Sequence, residues 1–296
     1  MKKYLETIRP WQEKETLFIK YRDRVYNLYE MPYDFILEAH LDLSGFELEY
    51  LPDLSDVIII GDFNCSDNNL CSLYGAPRLY VGGSFNCANN LLGSLRYVTK
   101  HIGVNFDCSE NVLSSLVYSP KKVGRNFDCS FNNLESLDGA QKYTNGDFNC
   151  TSNLLQTLDG APFYTNGSFL CSVNQLVSLK GGPKDVKGSY DCSFNNLGSL
   201  KYVAEYICGY LDCSYNKIMN LEYAPVYLGS SFICIGNGFS VDSVAPAYIK
   251  KYKHIDGLNK EQLNAMIAKQ TARTFNDAFE FIKNMQRIAR INKKEK

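Results

Sequence analysis

Eleven cysteines, three histidines and a row of regularly spaced aspartates are the residues of this chain whose types could do chemistry. A cysteine beside a histidine makes a nucleophile and its base, and clustered Cys and His hold metal. Paired carboxylates serve as general acid and general base. Spacing argues against each. Cys65, Cys87, Cys108, Cys129, Cys150, Cys171, Cys192, Cys213 and Cys234 follow one another at an interval of 22 and then of 21 seven times. Such a ladder is linear, whereas zinc takes four ligands at the corners of a tetrahedron. No Cys-x-x-Cys occurs, and Cys71 and Cys208 lie off the ladder. His40, His101 and His254 fall in the first coil, in a convex turn and beyond the last coil, so they are not expected to converge on a thiol. Asp107, Asp128, Asp191 and Asp212 each precede a ladder cysteine and form two adjacent pairs. On an open sheet with no pocket to exclude water they are not expected to catalyse. No Walker loop, nucleophile elbow or metalloprotease helix motif is present. The expectation is a non-enzyme with no catalytic residues, no metal and no cofactor.

The elements that carry these residues follow from the period. A constant interval near 21 residues marks a solenoid, in which one supersecondary unit repeats and stacks. Gly124-Arg125-Asn126-Phe127-Asp128-Cys129-Ser130-Phe131-Asn132-Asn133-Leu134-Glu135-Ser136-Leu137 shows the unit, aromatic-x-Cys-x-x-Asn-x-Leu-x-x-Leu. Asn recurs from Asn68 to Asn237, and a degenerate unit with Leu43 in the Cys slot precedes the nine. The aromatic and the Cys alternate with polar residues, so a short strand is expected to point them inward. Rows of Phe, Cys and Leu then form the core, and the Asn row satisfies turn backbone. Gly and Pro between units, as in Leu73-Tyr74-Gly75-Ala76-Pro77, read as convex turns, and no long helix fits there.

This pattern resembles the leucine-rich repeat over about residues 41–244, with Phe127 and Cys129 in strand Leu positions and Asn132 in the Asn position. The Gly-x-Phe-x-Cys-Ser-x-Asn-x-Leu variant is similar to repeats of bacteriophage and bacterial proteins. It is also similar to secreted bacterial effectors in which a ubiquitin-ligase domain follows the repeats, but only about fifty residues follow here, too few for one. The resemblance implies a curved parallel sheet of about ten coils whose concave face binds protein. It further implies a phage-encoded inhibitor or modulator of a host enzyme or defence complex. A structural or adhesive component of a virion or cell surface is the alternative.

Three segments are expected. Residues 1–40 form an N-terminal cap with a hairpin turning at Arg22-Asp23 and Trp11 as an anchor. Residues 41–245 form the solenoid, which is mainly β. Residues 246–296 form an α-helical C-terminal cap with a basic tail, opened by a capping box at Asn259-Lys260-Glu261-Gln262. Those helices cover the last coil or associate with a partner or a second copy. Charge divides unevenly: residues 41–249 carry 12 basic and 20 acidic residues, and residues 250–296 carry 12 basic and 5 acidic, within a total of 31 basic and 32 acidic. No run of about 18 apolar residues occurs, so no membrane helix is expected. Met1-Lys2-Lys3-Tyr4-Leu5-Glu6 does not read as a secretory signal, and the expected location is the cytoplasm, that of the host for a phage protein.

The outward residues are then the site. Leu170 breaks the polar row before Cys, and Phe131, Val173, Phe194 and Tyr215 occupy the slot before the ladder Asn. With Asp107 and Asp128 on one side and Asp191 and Asp212 on the other, they give an apolar centre with an acidic rim. The expected partner is a protein with a basic surface, and nucleic acid is expected to be repelled.

Overall fold

The computed structural model describes residues 5–219 and 223–238. Over these the chain is chiefly a parallel β-solenoid. Its main sheet has eleven strands, starting with Thr7–Ile8 and His40–Asp42. The remaining nine carry the repeated aromatic or Leu, from Phe63–Asn64 to Phe232–Ile233. Each strand pairs in parallel with its neighbour one coil away, in step, so that Phe106 faces Phe127 and Asp107 faces Asp128. The sheet therefore begins at Thr7, inside the segment expected to be a separate cap.

That N-terminal segment builds an antiparallel meander of Trp11–Glu13, Thr16–Tyr21 and Arg24–Asn27. Its second turn lies at Arg22 and Asp23, both at positive φ (47° and 60°), the backbone of a two-residue hairpin turn. Leu17, Ile19 and Tyr21 alternate inward and are buried. Trp11 is not a buried anchor: it is 38% exposed, stacks on Phe18 at 5.9 Å and donates its indole N–H to Glu13.

The core is the stack of inward rows. Phe63, Phe85, Phe106, Phe127, Phe148 and Phe169 are buried, with Tyr190 and Leu211 continuing the row. Successive Phe rings lie 5.1–5.9 Å apart, edge-on in the first coils and stacked from Phe127 to Phe169. One such ring pair is worth about 0.5–1.5 kcal/mol beyond its buried area. All eleven cysteines are free thiols, and those from Cys65 to Cys213 on the ladder are buried. Their Sγ atoms bond forward to the next strand as well as filling space. Cys108 Sγ donates to Asp128 O at 3.2 Å and Cys150 Sγ to Leu170 O at 3.3 Å, each one coil ahead. Burial pushes the ladder thiols well above the ordinary range, and Cys234, at the less buried end, is raised to about 11 by desolvation.

The Asn ladder ties each coil to the one before it. Asn132 Nδ2 donates to Cys129 O and Ser130 O of its own coil and to Cys108 O of the preceding one, at 3.0–3.2 Å. Its Oδ1 accepts the Leu113 N–H at 2.9 Å. The same four bonds recur at Asn111, Asn174, Asn195 and Asn216, so the buried amides leave no group unpaired.

The side expected to hold only turns carries a second set of parallel ladders. Tyr143–Thr144, Tyr164–Thr165, Asp185–Val186, Tyr206–Ile207 and Tyr227–Leu228 form one. His101–Ile102 pairs with Lys122–Val123, and Ile36–Leu37 with Ile58–Ile59, while Val81 bridges Ile59 and Ile102. His101 thus sits on a strand and not in a turn. The inward residues of this second row, Ile59, Val81, Ile102, Val123, Thr144, Thr165, Val186, Ile207 and Leu228, are buried and keep the spacing of the Cys ladder, 22 and then 21 seven times. The expected C-terminal helices lie outside the described residues.

Candidate binding face

The outer face of the main sheet is built from two slots in each coil. The first is the second strand residue, which alternation points away from the core. Asp107, Asp128, Asp191 and Asp212 occupy it and are half-buried. They are not free solvated carboxylates. Asp128 Oδ1 accepts the Ser130 N–H at 2.9 Å and its Oγ–H at 2.6 Å. Asp107 holds Ser109 and Asp191 holds Ser193 in the same way, and Asp212 accepts the Ser214 N–H at 2.9 Å. Asn64, Asn86 and Asn149 in this slot accept the same backbone N–H. This is an Asx turn, in which a short polar side chain closes the turn that ends the strand. The row is therefore a structural device first, and what remains for a partner is the rest of each carboxylate. Asp128 spends part of that too, accepting Asn149 Nδ2 at 2.9 Å.

Asp107 and Asp212 are held above the usual carboxylate range. Desolvation is the main cause, the hydrogen bonds from Ser109 and Ser214 oppose it, and the neighbouring Asp128 and Asp191 carboxylates add to it. Leu170 stands between Asn149 and Asp191 in the register and has no acceptor to close its turn.

The second slot is the residue before the ladder Asn, and here the backbone is left-handed in every coil. Asp67, Asn89, Glu110, Phe131, Ser152, Val173, Phe194 and Tyr215 have φ between 52° and 57°, and Gly236 has 70°. The chain must reverse here to bring Asn inward, and each N–H in the slot from Asp67 to Tyr215 reaches a carbonyl one coil ahead, as Val173 N–H does to Ser193 O at 3.1 Å. Gly, Asn and Asp visit this region at little cost, whereas a β-branched or bulky residue does so against its preference. Phe131, Val173, Phe194 and Tyr215 are half-buried, so the core does not call for their size.

Some of the expected site residues come together. Phe194 and Tyr215 stack at 4.5 Å with 17° between their planes. Val173 is one coil from Phe194, while the buried Ser152 separates Val173 from Phe131. Tyr215 leans over coil nine, where a Cβ on Gly236 would stand 2.7 Å from its ring. The sequence reading missed the role of Gly236, although a lone Gly in a slot otherwise filled by side chains was its signal. Among the described residues no group of three or more His, Cys, Asp and Glu is placed to hold a metal ion. His40 lies on the second strand of the main sheet, its Nδ1 within 2.9 Å of the Asp62 N–H, and His254 lies outside the described residues.

No protein-family model matches this sequence, and no curated protein does. Among solved structures, YopM from Yersinia enterocolitica WA-314 is similar at 17% identity with a TM-score of 0.35. The match covers 68% of this chain and 65% of that one, so the chain spans less than two thirds of its length.

Proposed function

We propose that this protein is a binding module that holds a protein partner on the outer face of its main sheet. One observation carries the reading: Val173, Phe194 and Tyr215 keep large apolar side chains at φ 53–55°, half-exposed, in a slot that Asp67, Asn89 and Gly236 fill at lower conformational cost. Backbone held against its preference for no gain in the core points to use at the surface. With Leu170 beside them, these residues form the apolar centre, and Asp107, Asp128, Asp191 and Asp212 supply negative potential around it. Phe131 extends the same slot at coil four. A partner presenting Lys or Arg around an apolar anchor fits this face.

The finer reading is an inhibitor or modulator of a host enzyme or defence complex, acting in the host cytoplasm. It is supported by the likeness of the repeat to those of phage and bacterial proteins. The test is quantitative capture from expressing cells with the full chain and its Leu170→Asp variant as parallel baits. The partner should be retained by the parent and lost from the variant, with the variant melting no lower than the parent. A partner kept equally by both baits would remove this face from consideration.

A further inference from the structure

The second ladders present an outward row of very different character. Each coil offers three outward positions here: the residue before the short strand, its first residue, and the residue two further on. From coil two to coil nine these positions hold Lys100, Lys121, Lys122, Lys142, Lys184 and Lys187, six of the twelve basic residues between 41 and 249. They hold only Asp185 and Glu205 of the twenty acidic ones. The local sum is thus +4 inside a segment whose total is −8. Tyr80, Tyr143, Phe163, Tyr206 and Tyr227 occupy other positions of this row and are 41–67% exposed. Lys142 lies over the Phe163 ring at 5.4 Å, and Lys187 over Tyr164 at 5.8 Å while pairing with Asp185. The strands pair in parallel and in register within two ladders, one ending at Lys122–Val123 and the next starting at Tyr143–Thr144, and the coils that carry them stack at about 4.8 Å, so cations and rings recur over roughly 29 Å from Lys100 to Tyr227.

We propose that this edge binds single-stranded nucleic acid without reading its sequence. Lysines repeated along one edge suit a phosphate backbone, and exposed rings between them suit unstacked bases, which every nucleotide offers. An acidic protein segment would use the lysines and leave the rings unexplained. A duplex keeps its bases stacked away from the rings. The expectation that nucleic acid is repelled rests on the summed charge and on the acidic main-sheet face, and neither describes this edge.

Fluorescence anisotropy of a labelled oligothymidylate of about 20 nucleotides, titrated with the full chain across a salt series, tests the proposal. The parent should bind with an affinity that falls steeply with salt. Lys121→Glu with Lys122→Glu should weaken binding at least about tenfold at low salt and flatten the salt slope. Tyr143→Ala with Phe163→Ala should weaken it at least about fivefold and leave the slope unchanged, the signature of lost stacking. Asp128→Lys, on the other face, should not reduce it. The proposal is overturned if the parent does not bind, or if both edge variants bind as tightly as the parent, which would place binding elsewhere on the chain. It is equally overturned if polyglutamate displaces the oligonucleotide as well as unlabelled oligothymidylate does, which would make an acidic protein the occupant.

Discussion

The outward row of the main sheet and the outward row of the second ladders arise from one repeat, yet their side chains have opposite duties. On the main sheet, Asp107, Asp128, Asp191 and Asp212 look outward but are fastened to the turn that follows them. On the second ladders, Tyr143, Tyr206 and Lys142 close no turn, and the inward neighbours Thr144 and Ile207 do the packing. A polar residue at a repeated position is therefore not by itself a sign of a binding surface. The first row can change only among residues that accept a hydrogen bond, or at a cost, as at Leu170. In the second row the fold fixes the glycines, since a Cβ at Gly103 or Gly124 would strike the backbone of the preceding coil, but it does not call for Lys142, Tyr143 or Tyr206, whose types report on what the edge meets.

The widest contrast between fastened and free positions is in thiol chemistry. Cys71 and Cys208 are exposed, and Cys208 lies on the second-ladder edge, whereas the ladder thiols from Cys65 to Cys213 are buried with their pKa pushed up by desolvation. Titration of native protein with a thiol reagent should show two fast groups, Cys234 slower, and the rest only as the protein unfolds, when all eleven react. A ladder cysteine reacting as fast as Cys208 would break the distinction.

Stability comes next. Asn132→Ala removes the side chain that serves Leu113 N–H and three carbonyls, and it should cost about 3 kcal/mol in urea unfolding. Asp128→Ala, which strands the Ser130 turn, should cost about 1 kcal/mol. Lys142→Ala on the edge should change stability by less than about 0.5 kcal/mol. If Lys142→Ala and Asp128→Ala cost the same, the main-sheet row is not the structural device described above.

Tyr190 sharpens the comparison from inside. It occupies the Phe slot of coil seven, and its buried hydroxyl has no hydrogen-bond partner of good geometry. Tyr190→Phe restores the residue of the six preceding coils and should raise stability by about 1 kcal/mol.

The smallest effect is a pH dependence that separates two aspartates of the same slot. Asp42 is held below the usual range: desolvation opposes this, but Ser44 and the Arg9 guanidinium 2.7 Å away outweigh it. Its contribution is present at neutral pH and is lost as pH falls through its depressed folded-state value. Asp107 is held above the usual range, so its ionisation costs stability as pH rises through the interval between its unfolded and folded values. Asp42→Asn should therefore lower the neutral-pH melting temperature and Asp107→Asn should raise it slightly, both differences fading in acid. Shifts of the same sign would show that the slot, and not the neighbours, sets the titration.

Much of this was legible in the chain because identical residues 21 apart can only be explained by stacking. The inward Phe, Cys and Leu rows, the Asn ladder and the hairpin at Arg22-Asp23 all stand where the pattern placed them. The second ladders escaped because their inward residue changes among Ile, Val, Thr and Leu and their outward residues change from coil to coil, so no single letter recurs there as Cys and Asn do on the main sheet. Their signal was the buried row from Ile59 to Leu228, visible only when coils are aligned. The left-handed slot escaped for a different reason. Asp67, Asn89 and Gly236 hint at it, but Phe131, Val173 and Phe194 speak against it, since local preference is overruled there by bonds to the next coil.

Sequence alone thus determined the repeat, its period and its inward rows, because burial of apolar groups at a fixed interval leaves one architecture that satisfies them all. Only the tertiary structure decided which outward groups are already spent. A carboxylate in the sequence is the same letter whether it closes a turn, as Asp128 does, or pairs with a lysine two residues on, as Asp185 does with Lys187. The difference lies in which N–H groups each carboxylate meets, the Ser130 backbone for Asp128 and the Lys187 ammonium for Asp185, and the backbone course that sets those meetings is fixed by the stacking of the coils.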